Sequence, residues 1–281
     1  MPIGLITEQE QIRQIRPSKG WTALNIKDLL HYRELLYFLT WRDIKVRYKQ
    51  TVIGATWAIL QPLLTMIIFT IFFGRIAKVP SEGIAYPIFS FSGLILWIYF
   101  STAVTNAGNS LVGSSNLITK VYFPRLIIPL SASLAGIIDY FISLGLLLIM
   151  MIFYKCVPNY SILLLPVIVF FALFSATGMG LWFSALNVKY RDVRYAIPFL
   201  IQLLLFATPV IYPVTIFPQK YRLILFLNPI AGVIDAHRAC LLGYKAIDWL
   251  SLCISLCAGI LIFVSGLYYF SRTERFFADI I

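Results

Sequence analysis

Residues 52–73 read VIGATWAILQPLLTMIIFTIFF, twenty-two consecutive residues without an Asp, Glu, Lys or Arg. A helix rises about 1.5 Å per residue, so a run of this length crosses the roughly 30 Å hydrocarbon core of a bilayer. Windows at 86–107, 161–188, 195–219 and 249–271 are equally free of charge, and 126–154 carries only Asp139. Six such windows predict an all-α polytopic membrane protein with six transmembrane helices. A seventh uncharged stretch, LILFLNPIAGVI at 223–234, has only twelve residues and is broken by Asn228, Pro229 and Gly232. Too short to span, it is expected to form an outer re-entrant hairpin before the last span.

Composition agrees. In 281 residues, 60% are hydrophobic and only 12% charged, which excludes a soluble globular chain, a disordered segment and a coiled coil. Four cysteines are too few for a disulfide-stapled scaffold. The 23 Lys and Arg outnumber the 12 Asp and Glu, an excess that polytopic proteins concentrate in cytoplasmic loops. With the N-terminus inside, segments 1–51, 108–125, 189–194 and 272–281 hold sixteen of those basic residues and the outer loops seven. Both termini are therefore expected in the cytoplasm. Residues 1–51 contain nine Lys and Arg and no apolar run of signal length, so this segment reads as retained.

The end of that segment, Leu29 to Gln50, mixes Leu35, Leu36, Phe38, Leu39, Ile44 and Val46 with Arg33, Glu34, Arg42, Asp43, Lys45, Arg47 and Lys49. It predicts an amphipathic helix lying on the inner membrane surface, or a plain basic anchor. Asp43 and Arg47, four apart with the acid first, are expected to pair along it, contributing about 0.3–0.5 kcal/mol.

The chemistry that is missing narrows the function. Membrane enzymes that handle diphosphate lipids need converging carboxylates to hold a divalent metal, and the acids here are scattered. His31 and His237 lie far apart, and neither HExxH nor CxxC occurs. Cys253 and Cys257 on the last span are expected to be buried packing residues, while Cys156 and Cys240 could pair near the outer face. No GxxxxGK[ST] phosphate loop is present, so a nucleotide site for ATP-driven transport must be on another chain.

Asp139, the sole formal charge inside a span, calls for a partner or a wet cavity. With Ser131, Ser133 and Ser143 nearby, a structural hydrogen-bonding role is expected. The first span carries Trp57, Gln61, Thr65 and Phe69 at fourfold spacing, and the fifth carries Phe199, Gln202, Phe206 and Tyr212 among Pro198, Pro209 and Pro213. Aromatic faces with amides suit sugar rings; helix packing accounts for the same stripes without a ligand. In the loop GNSLVGSSNLITKVYFPR (108–125), Ser114, Ser115 and Asn116 can cap a short helix beginning near Leu117 and ended by Pro124. Such a helix has the shape to dock into a partner.

Four segments together resemble a family: WRDIKVRYKQTVIGATWAILQPLL (41–64), SSNLITKVYFPR (114–125), SALNVKYRDVRYAIPFLIQLLLFATPVIYP (184–213) and LNPI (227–230). They are similar to the permease subunit of polysaccharide-exporting ABC transporters of the ABC-2 type, from about residue 29 to the C-terminal FFADII. The resemblance implies a cytoplasmic segment 1–51 with an interfacial helix, followed by an ABC-2 transmembrane domain at 52–281. It implies a homodimer that works with an ABC ATPase subunit, ATP and magnesium being bound by that partner and no cofactor by this chain. The implied cargo is a polyprenyl-diphosphate-linked polysaccharide of O-antigen type, with capsule and teichoic acid as siblings. Arg42, Arg47 and Lys49 would meet the lipid diphosphate. Ser114, Ser115, Asn116, Lys120, Tyr122, Phe123 and Pro124 would form the coupling helix against the ATPase. The aromatic and amide stripes of the first and fifth spans would line the glycan conduit. A small hydrophobic cargo is the rival transporter reading, and a membrane glycosyltransferase is disfavoured by the lack of paired acids.

Overall fold

The computed structural model describes residues 26–49 and 56–277, and every regular element among them is a helix. The N-terminal 25 residues and the first four residues of the opening uncharged run, 52–55, lie outside the described residues. In an apolar solvent every backbone N–H and C=O must be paired within the element, which leaves the helix as the only open solution for these runs. Local punctuation sets the ends. Prolines occupy the first turns of the second and fourth long helices, where a missing N–H costs nothing. The Asp248 carboxylate caps the last helix by accepting from the Leu250 and Ser251 amides at 3.2 and 3.4 Å.

Five helical stretches are long and apolar enough to cross a membrane: Thr56–Ile76, Tyr86–Gly113, Ile127–Phe153, Tyr160–Lys189 and Trp249–Phe276. We number the helices in chain order. Two precede the first span: α1 (Ile26–His31) and α2 (Arg33–Lys49). The first span is α3 (Thr56–Phe69), completed by a π-helical turn, Thr70–Ile76. Then come α4 (Tyr86–Gly113), α5 (Ser115–Lys120), α6 (Ile127–Ala135) and α7 (Ile137–Phe153). They are followed by α8 (Leu165–Lys189), α9 (Val193–Phe206), α10 (Gln219–Leu225), α11 (Ala231–Leu242) and α12 (Trp249–Thr273).

The window at 195–219 departs from its expectation of a full span. The helix there, α9, has only 14 residues and ends at Phe206, about 21 Å of helix, and the chain then turns through Pro209 and Pro213, which have no amide to continue the ladder. The outer element, which the family resemblance places near 223–242, is helical on both sides of a break. Two short helices flank the Asn228–Pro229 break, but α11 runs eight residues past the uncharged stretch, and all twelve of its residues are buried, Asp235, His237 and Arg238 included. Gly243, in the left-handed conformation at φ +61°, ends it.

The central element is α4, packed on α3, α6, α7, α8, α9 and α11 and buried over most of its length. Small residues allow the closest approaches. A Cβ on Gly180 of α8 would lie 2.5 Å from the Cβ of Ala107 on α4, and one on Gly178 would lie 2.7 Å from the Cα of Phe263 on α12. α12 packs on α8 and α11 through buried Ser251, Ser255, Gly259 and Gly266, so Cys253 and Cys257 face outward and are exposed rather than buried. Cys156 and Cys240 are free thiols, not a disulfide.

α2 is helical as expected but is apolar on two sides rather than along one stripe. Leu39 is buried, with Leu35 and Leu36 half-buried beside it, where the helix packs on α6; Tyr37, Phe38 and Trp41 are exposed on the other side. A basic helix with exposed aromatics suits a membrane interface.

The α8–α12 contact yields a direct test. Gly178→Leu drives a side chain into backbone that has no room to yield, and destabilisation of about 1–3 kcal/mol or more is expected. Gly145→Leu, where a Cβ would meet nothing within 4 Å, leaves the thermal unfolding midpoint of the detergent-purified protein unchanged.

Candidate functional site

Two polar assemblies sit inside this apolar bundle. The first is built on Asp139. The α6–α7 span breaks at Gly136, where the Tyr99 ring is 3.6 Å from the position of a Cβ. This break starts a new helix two residues before Asp139, near the midpoint of the Ile127–Phe153 span. The carboxylate accepts from the Arg47 guanidinium with one oxygen and from the Tyr48 hydroxyl with the other, so both partners come from the last turn of α2. Burial first, and the Asp139 carboxylate second, hold the Tyr48 hydroxyl protonated far above its ordinary range; it is a permanent donor. The expected Asp43–Arg47 pair is not made. Asp43 takes the neighbouring Arg42, Oδ1 to Nη2 at 2.8 Å, because Arg47 is engaged by the less exposed acid on α7.

These residues close one side of a cavity of about 650 Å³. α3 contributes Trp57, Ala58, Gln61 and Pro62, α4 contributes Ile95, Ile98, Tyr99 and Thr102, and α7 contributes Asp139, Tyr140 and Ser143. The Ser143 hydroxyl donates to the Ala58 carbonyl at 2.9 Å, clipping α7 to α3. Aromatic faces, an amide, hydroxyls and an ion pair line a mainly apolar chamber, the composition of a site for an amphiphilic ligand.

The second assembly is built on α11. Tyr140, on the cavity wall, has its hydroxyl 2.9 Å from His237 Nε2. The adjacent Arg238 is fully buried. Its guanidinium stacks on Phe89 at 3.8 Å and donates to the carbonyls of Phe89, Pro209 and Val210 at 3.2, 3.1 and 3.0 Å. Gly93 is required below it, because a Cβ there would collide with the guanidinium. Arg238 thereby satisfies carbonyls that the proline-interrupted turn after α9 leaves without helical donors. Asp235 accepts from Lys245 at 2.7 Å, with Glu82 3.7 Å from the same ammonium.

The structure brings Arg47, Asp139, Trp57 and Gln61 together and separates the other candidates. Thr65 donates to the carbonyl of Gln61 at 2.9 Å, and Phe69 meets Phe73 edge-on at 5.5 Å, both further along α3. Phe199, Gln202 and Phe206 are exposed on α9, which buries only Ile197 and Ile201. Tyr212 lies beyond that helix and donates to the Phe206 carbonyl at 2.7 Å. Arg42 and Lys49 are exposed. The loop helix α5 starts at Ser115, two residues before the expected Leu117, and ends at Lys120, before Pro124 is reached. Ser114 occupies the cap position, yet its side chain makes no capping bond. Ile118 and Phe123 anchor this loop in a buried cluster with Leu111 and Ile128. Asn116, Lys120 and Tyr122 are left exposed, while Phe123 is not.

Sequence reading missed Tyr48, Tyr99, Tyr140, His237 and Arg238. The first three carry no motif, and nothing in the spacing around the last two marks them as buried.

The sequence model of the ABC-2 type transporter family matches residues 34–242. The chain belongs to the ABC-2 type transporter family. It is 30% identical over 256 residues to the O-antigen export system permease protein RfbA of Myxococcus xanthus, covering 89% of this chain and 97% of that one. It is 29% identical over 262 residues to the RfbA protein of Klebsiella pneumoniae, covering 92% and 100%. The polysialic acid transport protein KpsM of Escherichia coli is 25% identical over 211 residues, covering 72% and 80%. As an ABC-2 permease, the chain is a multi-pass membrane protein of an ABC transporter system, which implies an ATPase partner.

Both assemblies can be weighed by mutation. Arg238→Met leaves the buried Pro209 and Val210 carbonyls without donors, and a loss of about 3 kcal/mol or more is expected, read as failure to accumulate a monodisperse protein. Arg47 and Asp139 are part-exposed, at 29% and 23%, so a double-mutant cycle of Arg47→Gln and Asp139→Asn on thermal stability is expected to give a coupling of about 1 kcal/mol.

Proposed function

We propose that this chain is the membrane subunit of an ATP-driven exporter that moves a polyprenyl-diphosphate-linked polysaccharide of O-antigen type from the cytoplasmic to the outer face of the bacterial inner membrane. The observation that carries the reading is the near end-to-end similarity to O-antigen export permeases, to the full length of one of them. The likeness to a polysialic acid transport protein keeps a capsule-type glycan as the second reading.

Several features support it. Trp57 and Gln61 on α3, and Phe199, Gln202 and Phe206 on α9, present aromatic faces and amides of the kind that meet sugar rings. Both helices lie at the edge of the bundle, α3 packed on α4 and α7 and α9 on α4 and α8. Two copies placed with these faces opposed would enclose a conduit, which a long glycan needs more than it needs a closed pocket. Both termini lie in the cytoplasm in this reading, with α2 at the inner membrane surface and α5 facing the ATPase. ATP and magnesium belong to that partner. Closure of the ATPase pair would press on Asn116, Lys120 and Tyr122 and act through the buried Ile118–Phe123 anchor on the span that begins at Ile127.

Deletion in the host tests the assignment. Polymerised lipid-linked glycan is expected to accumulate on the cytoplasmic side; normal surface glycan without a redundant exporter contradicts it. In the complemented strain, Lys120→Glu with Tyr122→Ala is expected to lower surface glycan at least tenfold while the permease remains at its normal level in the membrane.

A further inference from the structure

The cavity bounded by α2, α3, α4 and α7 is closed by an ion pair that a ligand can contest. Arg47 and Asp139 are both part-exposed, and their contact ties α2 to α7 directly beside Trp57 and Gln61. A guanidinium binds a phosphate with the same forked geometry it offers a carboxylate, and a phosphate brings more negative charge to it. Deeper in the same cavity, Tyr99 is 2% exposed, and its hydroxyl has no hydrogen-bond partner among the described residues. A buried hydroxyl left unpaired is costly and marks a place where a polar ligand group completes the site.

We propose that this intraprotomer cavity binds the phosphate-linked sugar end of an anionic glycolipid, with Asp139 standing in for the ligand's phosphate while the site is empty. The proposal rests on the export reading above and adds to it a site within one copy of the chain, distinct from any conduit between two. The phosphate displaces the Asp139 carboxylate from Arg47, the first sugar stacks against Trp57 with Gln61 in reach, and Tyr99 supplies the innermost hydrogen bond. Released from Asp139, the end of α2 is free to move from α7. Asp139 is thus a competitor for Arg47, and removing its charge improves binding although it removes a native contact. A merely structural ion pair has the opposite signature, since its loss weakens whatever the fold holds.

The test uses the full-length chain in nanodiscs, with undecaprenyl-diphosphoryl-N-acetylglucosamine as probe and intrinsic tryptophan fluorescence as readout. Asp139→Asn is expected to bind about tenfold tighter than the unaltered chain and Arg47→Gln at least tenfold weaker. Tyr99→Phe, an isosteric change that leaves the fold intact, is expected to bind three- to tenfold weaker at an unchanged unfolding midpoint. Unchanged or weaker binding by a folded Asp139→Asn protein overturns the proposal, as does unchanged binding by Tyr99→Phe. Inorganic diphosphate and phosphatidic acid, tested separately, are expected to bind at least tenfold more weakly than the probe. Equal affinity for either assigns the site to free or lipid phosphate and overturns the sugar assignment. Binding by purified protein is read apart from export in cells. A chain that binds as described while its deletion leaves surface glycan intact refutes the export reading and not the site.

Discussion

A carboxylate in the middle of a transmembrane span is the constraint from which much of this architecture follows. Placing an unpaired Asp at the centre of an apolar helix costs about 2.5–3.5 kcal/mol on insertion scales, and the chain meets that cost with a guanidinium and a phenol from outside the span. Because both donors sit on α2, at Arg47 and Tyr48, satisfying Asp139 fixes where that part of the helix lies. The pairing holds α2 against the bundle at its C-terminal end, while Leu39 and its neighbours hold its middle against α6. A cavity remains between them and α3, because α3 is fastened to α7 by one serine clip and packs loosely elsewhere.

A second buried charge solves a different problem. The turn after α9 leaves the Pro209 and Val210 carbonyls without helical donors, since prolines interrupt it, and Arg238 supplies the donors from α11. Tyr140 touches both assemblies, lining the cavity while meeting His237 beside Arg238. Polar groups therefore run through the molecule from α2 to α11 by way of Asp139, Tyr140 and His237. α3 and α9 stay at its margin with large side chains exposed, as expected of helices whose partner is another surface.

The helical class and the positions of the long spans were legible because hydrocarbon imposes one rule on every residue of a span, and uncharged length reports it directly. The 195–219 window was legible as apolar length but not as one long helix. Its residues are apolar enough to cross, but Pro209 and Pro213 stop the helix, and their effect is conformational rather than compositional. Asp139 was legible as a group needing a partner, while the partner was not, because nothing in the spacing of 47 and 139 connects them. Local rules predicted Asp43 for Arg47; tertiary burial decided otherwise. The burial of α11 was least legible, since nothing in the DAHR sequence reports it until its carbonyl and phenol partners are known. The conduit stripes were half legible: Trp57 and Gln61 reach a common cavity, whereas the α9 residues face outward and await a second surface.

The account as a whole depends on α2 being held to α7 by charge rather than by packing alone. The most direct measurement is the distance distribution between spin labels at Lys45 on α2 and Ile149 on α7, both exposed, in a background with the four cysteines replaced. One narrow population is predicted for the unliganded chain, and a broader distribution shifted to longer distance for the same chain carrying Asp139→Asn. Identical narrow distributions in the two would contradict the claim that this ion pair positions the helix.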